Sequence, residues 1–134
     1  MNQAFYDRWA PRCLSVLRIV AAFLFLCHGT SKLFHVPYMP GFDTLPLFSL
    51  IGVQGLIEVV GGGLLLLGLF SRCTAFVLSG DMAAAYFIGH FPKHWLPFLN
   101  GGDAAVLYCF VFLYLWLAGP GPWSVDAARR GSVR

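Results

Sequence analysis

At 134 residues the chain has room for one domain, and a content that is 58% hydrophobic and only 11% charged, with a mean hydropathy of +0.71, is too apolar for a water-soluble fold of this size. The bilayer is therefore the expected solvent. The net charge of +3 reads as an orientation signal, which excludes a nucleic-acid surface as its use.

Four apolar segments, residues 13–34, 49–70, 73–91 and 104–119, approach the roughly 20 residues needed to cross the hydrocarbon core. They predict an all-α integral membrane four-helix bundle occupying residues 1–134 as one domain. Arg8, Arg12, Arg72, Arg129, Arg130 and Arg134 fall on one side of such a bundle, against Lys32 and Lys93 on the other. The excess of basic residues places both termini in the cytoplasm and the protein in the inner (plasma) membrane. A cleaved signal peptide is not expected, because Arg18 interrupts the first apolar run and no small-residue cleavage site follows it. Cys13, Cys27, Cys73 and Cys109 form no C-x-x-C pair and are expected to behave as buried free thiols.

On the first span Arg18, Ala22, Phe25, Gly29 and Lys32 form one helical stripe with a cation at each end. Either both cations snorkel to the interfaces or both turn into the bundle. His28 lies one turn before Lys32. The outer connection that follows carries Pro37, Pro40, Gly41 and Pro46, which forbid regular helix, with Tyr38, Met39, Phe42, Leu45, Leu47 and Phe48 making it unusually apolar for a loop.

The second span holds Glu58, a lone carboxylate between Gly55 and Gly62 on one helical face. Small residues there allow a neighbouring helix to approach closely. At about 1.5 Å per residue, Glu58 lies roughly 12 Å below the outer mouth and His28 about 9 Å below it, so the two can meet, with Lys32 reaching down from above. Two readings of Glu58 stay open: a structural ion-pair partner, or a carboxylate that handles protons or ligand.

Ser71-Arg72 is so short a turn that the second and third spans must be antiparallel neighbours. Asp81 matches Arg18 in depth, and the two are expected to form a structural ion pair. Asp81 and His90, nine residues apart, fall on nearly opposite faces of a straight helix and are not expected to share a compact site. In the next connection Asn100-Gly101-Gly102 is turn chemistry and Asp103 a helix cap; turned inward, Asp103 would join His90, His94 and Lys32 around the outer mouth. The fourth span is aromatic, Gly119-Pro120-Gly121-Pro122 ends it, and the tail reads as an interfacial turn with a basic end. No nucleotide-binding glycine loop is present; Gly61-Gly62-Gly63 has no strand before it.

Several of these pieces recur together in one family. Arg18 with Gly29-Thr30-Ser31-Lys32-Leu33, Glu58 with Gly61-Gly62 and Gly68, Met82 with Ala85, Asn100-Gly101-Gly102-Asp103, and the closing Gly119-Pro120-Gly121-Pro122-Trp123-Ser124-Val125-Asp126 resemble the DoxX family of small four-span membrane proteins. Asp103 departs from it, since the family more often has Glu there. Members resemble the membrane subunit of a thiosulfate:quinone oxidoreductase or are linked to sulfur redox balance and oxidative-stress resistance, so the resemblance implies a quinone-linked redox subunit.

On that reading Glu58, Lys32 and His28 are the catalytic candidates, with Lys32, His28, His90 and Asp103 as contacts to a quinone cofactor. A carboxylate beside the ring oxygens suits chemistry that couples electrons to protons. No flavin or iron–sulfur motif is visible, so electrons are expected from a soluble redox partner protein or a small reductant. The alternative is a non-enzymatic membrane anchor for a soluble redox enzyme. Haem held by His28, His35, His90 or His94 is disfavoured, because His35 and His94 sit in loops, and no metal site is expected because no H-x-x-x-H or E-x-x-H spacing falls on a predicted helix. Association with a second copy of the chain is left open.

Overall fold

The computed structural model describes residues 2–42 and 46–131; Leu45 of the first connection and Arg134 of the basic end lie outside them. Among the described residues there is no strand, and six α-helices follow in order: α1 (Gln3–Phe34), α2 (Leu50–Leu67), α3 (Ser71–Ala85), α4 (Pro97–Asn100), α5 (Asp103–Ala118) and α6 (Val125–Gly131). A π-helical turn, Tyr86–His90, prolongs α3. α1 and α2 are long and apolar enough to cross a membrane; α5 is apolar but shorter.

α1 begins ten residues before the expected span, and its 32 residues extend about 48 Å. The added turns carry Phe5, Tyr6, Arg8 and Trp9, all exposed, and a half-buried Arg12. Pro11 lies within them, and its carbonyl accepts a bond from Ser15 Oγ at 3.3 Å. α2 stops at Gly68, whose left-handed φ of 71° is the usual glycine-dependent end of a helix.

Glycine sets the spacing of α1 and α2. A Cβ added at Gly29 would lie 2.7 Å from the backbone nitrogen of Val59 and 2.8 Å from Glu58 Cβ, and one at Gly62 would lie 3.2 Å from the Leu26 backbone. The two helices therefore touch backbone to backbone. α3 pairs with α5 in the same extensive way, helped by Ser79 Oγ donating to the Cys109 carbonyl at 2.8 Å. Phe25 of α1 joins the pairs by packing on Phe112 and Tyr108 of α5 at ring separations of 4.9 and 5.4 Å.

Along its axis the bundle has three storeys. A polar cap fills the end beside α6, a plug of Ala22, Phe25, Leu65, Leu78, Met82 and Phe112 fills the middle, and a cavity opens at the far end. Val20, Phe23, Leu24, Leu56, Val60, Phe76, Val77, Leu107 and Phe110 face outward and are exposed. Such a belt has no place on a water-soluble surface. The four cysteines are free, and Cys13 and Cys73 belong to the outward face rather than the interior expected of them.

Candidate functional site

The polar cap shows what Arg18 does. Its side chain is only 1% exposed, and it donates to the carbonyls of Leu65 and Leu66 at 2.6 and 2.7 Å, of Pro120 at 2.9 Å, and of Trp123. The first two lie in the last turn of α2, where carbonyls run short of helical donors, although that of Leu65 also accepts from the Gly68 N–H at 3.1 Å, and a cation there meets the negative end of the helix dipole. This corrects the expected pairing of Arg18 with Asp81: backbone carbonyls satisfy the guanidinium and Asp81 stands elsewhere. Arg72 repeats the device at the end of α5, donating to the carbonyls of Trp116 and Leu117.

The tail, expected to be a turn and a basic end, is a helix that completes this cap. Asp126 of α6 accepts from the backbone N–H of Phe70 at 3.0 Å and of Ser71 at 2.8 Å, closing the start of α3. Partial burial pushes the Asp126 carboxyl up, but the donors at Ser71 and Phe70, with Arg130 nearby, outweigh it and hold the group below the ordinary carboxylate range.

The opposite end holds a cavity of about 540 Å³ to which α1, α2, α3 and α5 all contribute. That size falls in the range of small-molecule sites. Lys32 Nζ lies 2.7 Å from Glu58 Oε1, with Glu58 only 2% exposed. The same ammonium donates to Gln54 Oε1 at 3.1 Å, and Asp81 lines the same cavity. His28, Phe25 and Tyr108 form part of the wall, and His90 and Lys93 stand toward the loops. The structure thus gathers Glu58, Lys32, His28 and His90 around one space and adds Gln54, Asp81 and Tyr108.

Two of these additions have physical causes. Gln54 is four residues before Glu58 and shares its helical face, a spacing visible in the sequence. Asp81 and His90 reach the same cavity, against the straight-helix expectation, because the bond from Phe91 N–H to the Tyr86 carbonyl at 2.8 Å closes a π turn that rotates His90 relative to Asp81.

Asp103 is not part of the wall. It is the first residue of α5, exposed, with Gly102 in the capping position and no side-chain cap bond, so both the capping role and the inward placement are corrected. Asn100 does the local work instead: buried, it accepts from Gly102 N–H at 2.8 Å and donates to the His94 carbonyl at 2.6 Å and the Tyr86 hydroxyl at 3.2 Å. His94 turns to the Leu96 N–H.

Two hydrogen-bonding details decide the chemistry of the cavity. His28 Nδ1 is 2.9 Å from the Leu24 carbonyl, and His90 Nδ1 is 3.1 Å from the Asn100 carbonyl. A carbonyl can only accept, so in each neutral ring Nδ1 carries the proton and Nε2 is an acceptor. Glu58 Oε2 and Asp81 Oδ2 are buried and hydrogen-bonded to no protein group. No group of three or more His, Cys, Asp or Glu among the described residues could hold a metal ion.

A helical bundle with an outward apolar belt, two helices of membrane-crossing length and a polar cavity at one end is a membrane protein in class. The DoxX family profile matches residues 13–91, and the chain belongs to that family. It is 41% identical over 124 residues to an uncharacterized protein of Haemophilus influenzae, covering 90% of this chain and 92% of that one. It is 30% identical to an uncharacterized membrane protein of Mycobacterium tuberculosis, covering 92% of this chain and 84% of the relative. No solved structure matches it significantly.

Proposed function

We propose that this protein spans the cell's inner membrane four times with both termini cytoplasmic, and that its cavity binds a quinone as the membrane subunit of a redox system in sulfur or oxidative-stress metabolism. The distribution of basic residues supports the orientation, and α3 with its π turn and α5 supply the two shorter crossings. Lys32 is the group able to donate to a ring oxygen, and Glu58 is the carboxylate placed to exchange the proton that accompanies electron transfer. Phe25 and Tyr108 offer flat faces for the ring. Electrons come from a soluble redox partner.

The observation that carries this reading is the Lys32–Glu58 pair, 2.7 Å apart, on the wall of a cavity large enough for a ring. A pair serving helix register alone has no need of adjoining space. The test is solvent extraction of the protein purified in mild detergent. Quinone or quinol near one per chain, lost in Glu58→Gln with helix content and melting temperature retained, supports the reading; an empty, well-folded wild-type protein overturns it.

The second reading, an anchor for a soluble redox enzyme, draws on the cap: Arg18, Arg72 and Asp126 fix three helix ends and α6, giving a rigid face bearing Arg129 and Arg130. Under it, a partner enzyme stays membrane-bound and fully active when Glu58 is replaced by Gln.

A further inference from the structure

The cavity has a polarity that the quinone reading alone does not require. Of its polar groups, Lys32 is the ammonium donor beside the carboxylates, and it already serves Glu58 and Gln54. Lys93 and the Tyr108 hydroxyl are further donors in the lining, yet two carboxylate oxygens, Glu58 Oε2 and Asp81 Oδ2, are buried and bonded to no protein group. A ligand that brings only carbonyl oxygens leaves those acceptors unmatched, and an unmatched buried carboxylate oxygen is costly. A ligand with two hydroxyl donors pairs with both.

We propose that the cavity selects a dihydroxy-aromatic ligand over its oxidised dicarbonyl form, with one hydroxyl donating to Glu58 Oε2 and the other to Asp81 Oδ2. Asp81 is then a ligand-binding residue in its own right. Gln54, which accepts from Lys32 Nζ at 3.1 Å, is a positioning residue for that ammonium. The proposal rests on the quinone reading for the aromatic ring and goes beyond it in naming the bound redox state.

The test is binding to the full chain in detergent, read by quenching of tryptophan fluorescence, with four probes of one tail length: a decyl 1,4-hydroquinone, its quinone, its dimethyl ether, and a decyl resorcinol, whose two hydroxyls cannot be converted to a quinone. Two hydrogen bonds to carboxylates predict that the hydroquinone binds at least about ten-fold more tightly than the quinone or the ether. Asp81→Asn, which exchanges one acceptor oxygen for a donor, is expected to bring that ratio below about three-fold by the same reasoning. Quinone or ether binding as tightly as hydroquinone overturns the proposal, and does so on the unaltered chain, whatever becomes of the variant.

The two readings fail separately. Tight quinone binding that Glu58→Gln abolishes keeps the quinone role and removes the donor requirement. Tight binding of both hydroquinone and resorcinol, with no quinone in the native extract, keeps the donor requirement and removes the quinone role.

Discussion

Replacing Lys32 by Met, which keeps most of the length of the side chain and deletes its charge, tests the centre of the cavity. At an N···O distance of 2.7 Å and an effective dielectric constant of about 20, the direct attraction between the two charges is about 6 kcal/mol. The desolvation of both charges offsets part of it. Truncating one partner of a buried pair costs about 3–5 kcal/mol, because the other charge is left buried without compensation. Lys32→Met is therefore expected to lose about 3–5 kcal/mol. The double variant Lys32→Met with Glu58→Gln, which removes the stranded charge too, is expected to regain about 2 kcal/mol of that loss, within the usual range for coupled neighbours. Unfolding in mixed micelles by increasing SDS, followed by tryptophan fluorescence, gives the four free energies of the cycle. A single variant within about 1 kcal/mol of wild type, or a double variant whose loss is the plain sum of the two singles, refutes a coupled buried pair.

Four further outcomes use the same unfolding measurement. Gly29→Ala forces a methyl group against Val59 N and Glu58 Cβ at 2.7 and 2.8 Å and is expected to cost about 1–3 kcal/mol. Gly63→Ala, with nothing within 4 Å, is expected to be neutral or to gain up to about 1 kcal/mol from helix propensity; equal effects at the two sites would contradict the close approach of α1 and α2. Arg18→Lys keeps the charge but replaces a planar fork with a point donor that cannot serve Leu65, Leu66, Pro120 and Trp123 together. It is expected to lose about 2 kcal/mol, with Arg18→Met losing more; a neutral Lys variant argues against the capping role. Asp126 has a carboxyl held below its ordinary range, so its stabilisation is complete above the unfolded value of about 4 and is lost as pH falls through the folded value. Asp126→Asn should remove that part of the acid sensitivity, and an unchanged slope of stability between about pH 5 and pH 2 would count against it.

Most of the architecture was legible because it rests on side-chain apolarity and on length. The apolar runs locate α1, α2, α3 and α5, and a very short connection places α2 beside α3, although it lies at residues 68–70 and the expected turn residues Ser71 and Arg72 already open α3. Helical rise alone brings His28 and Glu58 to similar depths, with Lys32 above them and in reach. The misreadings share a cause: they concern backbone groups, whose partners no pattern of residue types announces. Asp103 is displaced from capping by Gly102 and the neighbouring Asn100. The π turn at Tyr86–His90 changes which face His90 occupies. The helical tail follows from Asp126 reaching the N–H groups of α3.

The pairing of Arg18 with Asp81 is the instructive case, since it matched charge and depth and still failed. Four carbonyls from the end of α2 and the turn after α5 offer the guanidinium more acceptors than one carboxylate can, in a geometry its fork can use. Had Arg18 taken Asp81, Glu58 would have been the single carboxylate on the cavity wall. Because the helix ends satisfy Arg18, Asp81 is left to line the same cavity as Glu58 and Lys32. The capping at one end of the bundle thus sets the chemistry available at the other.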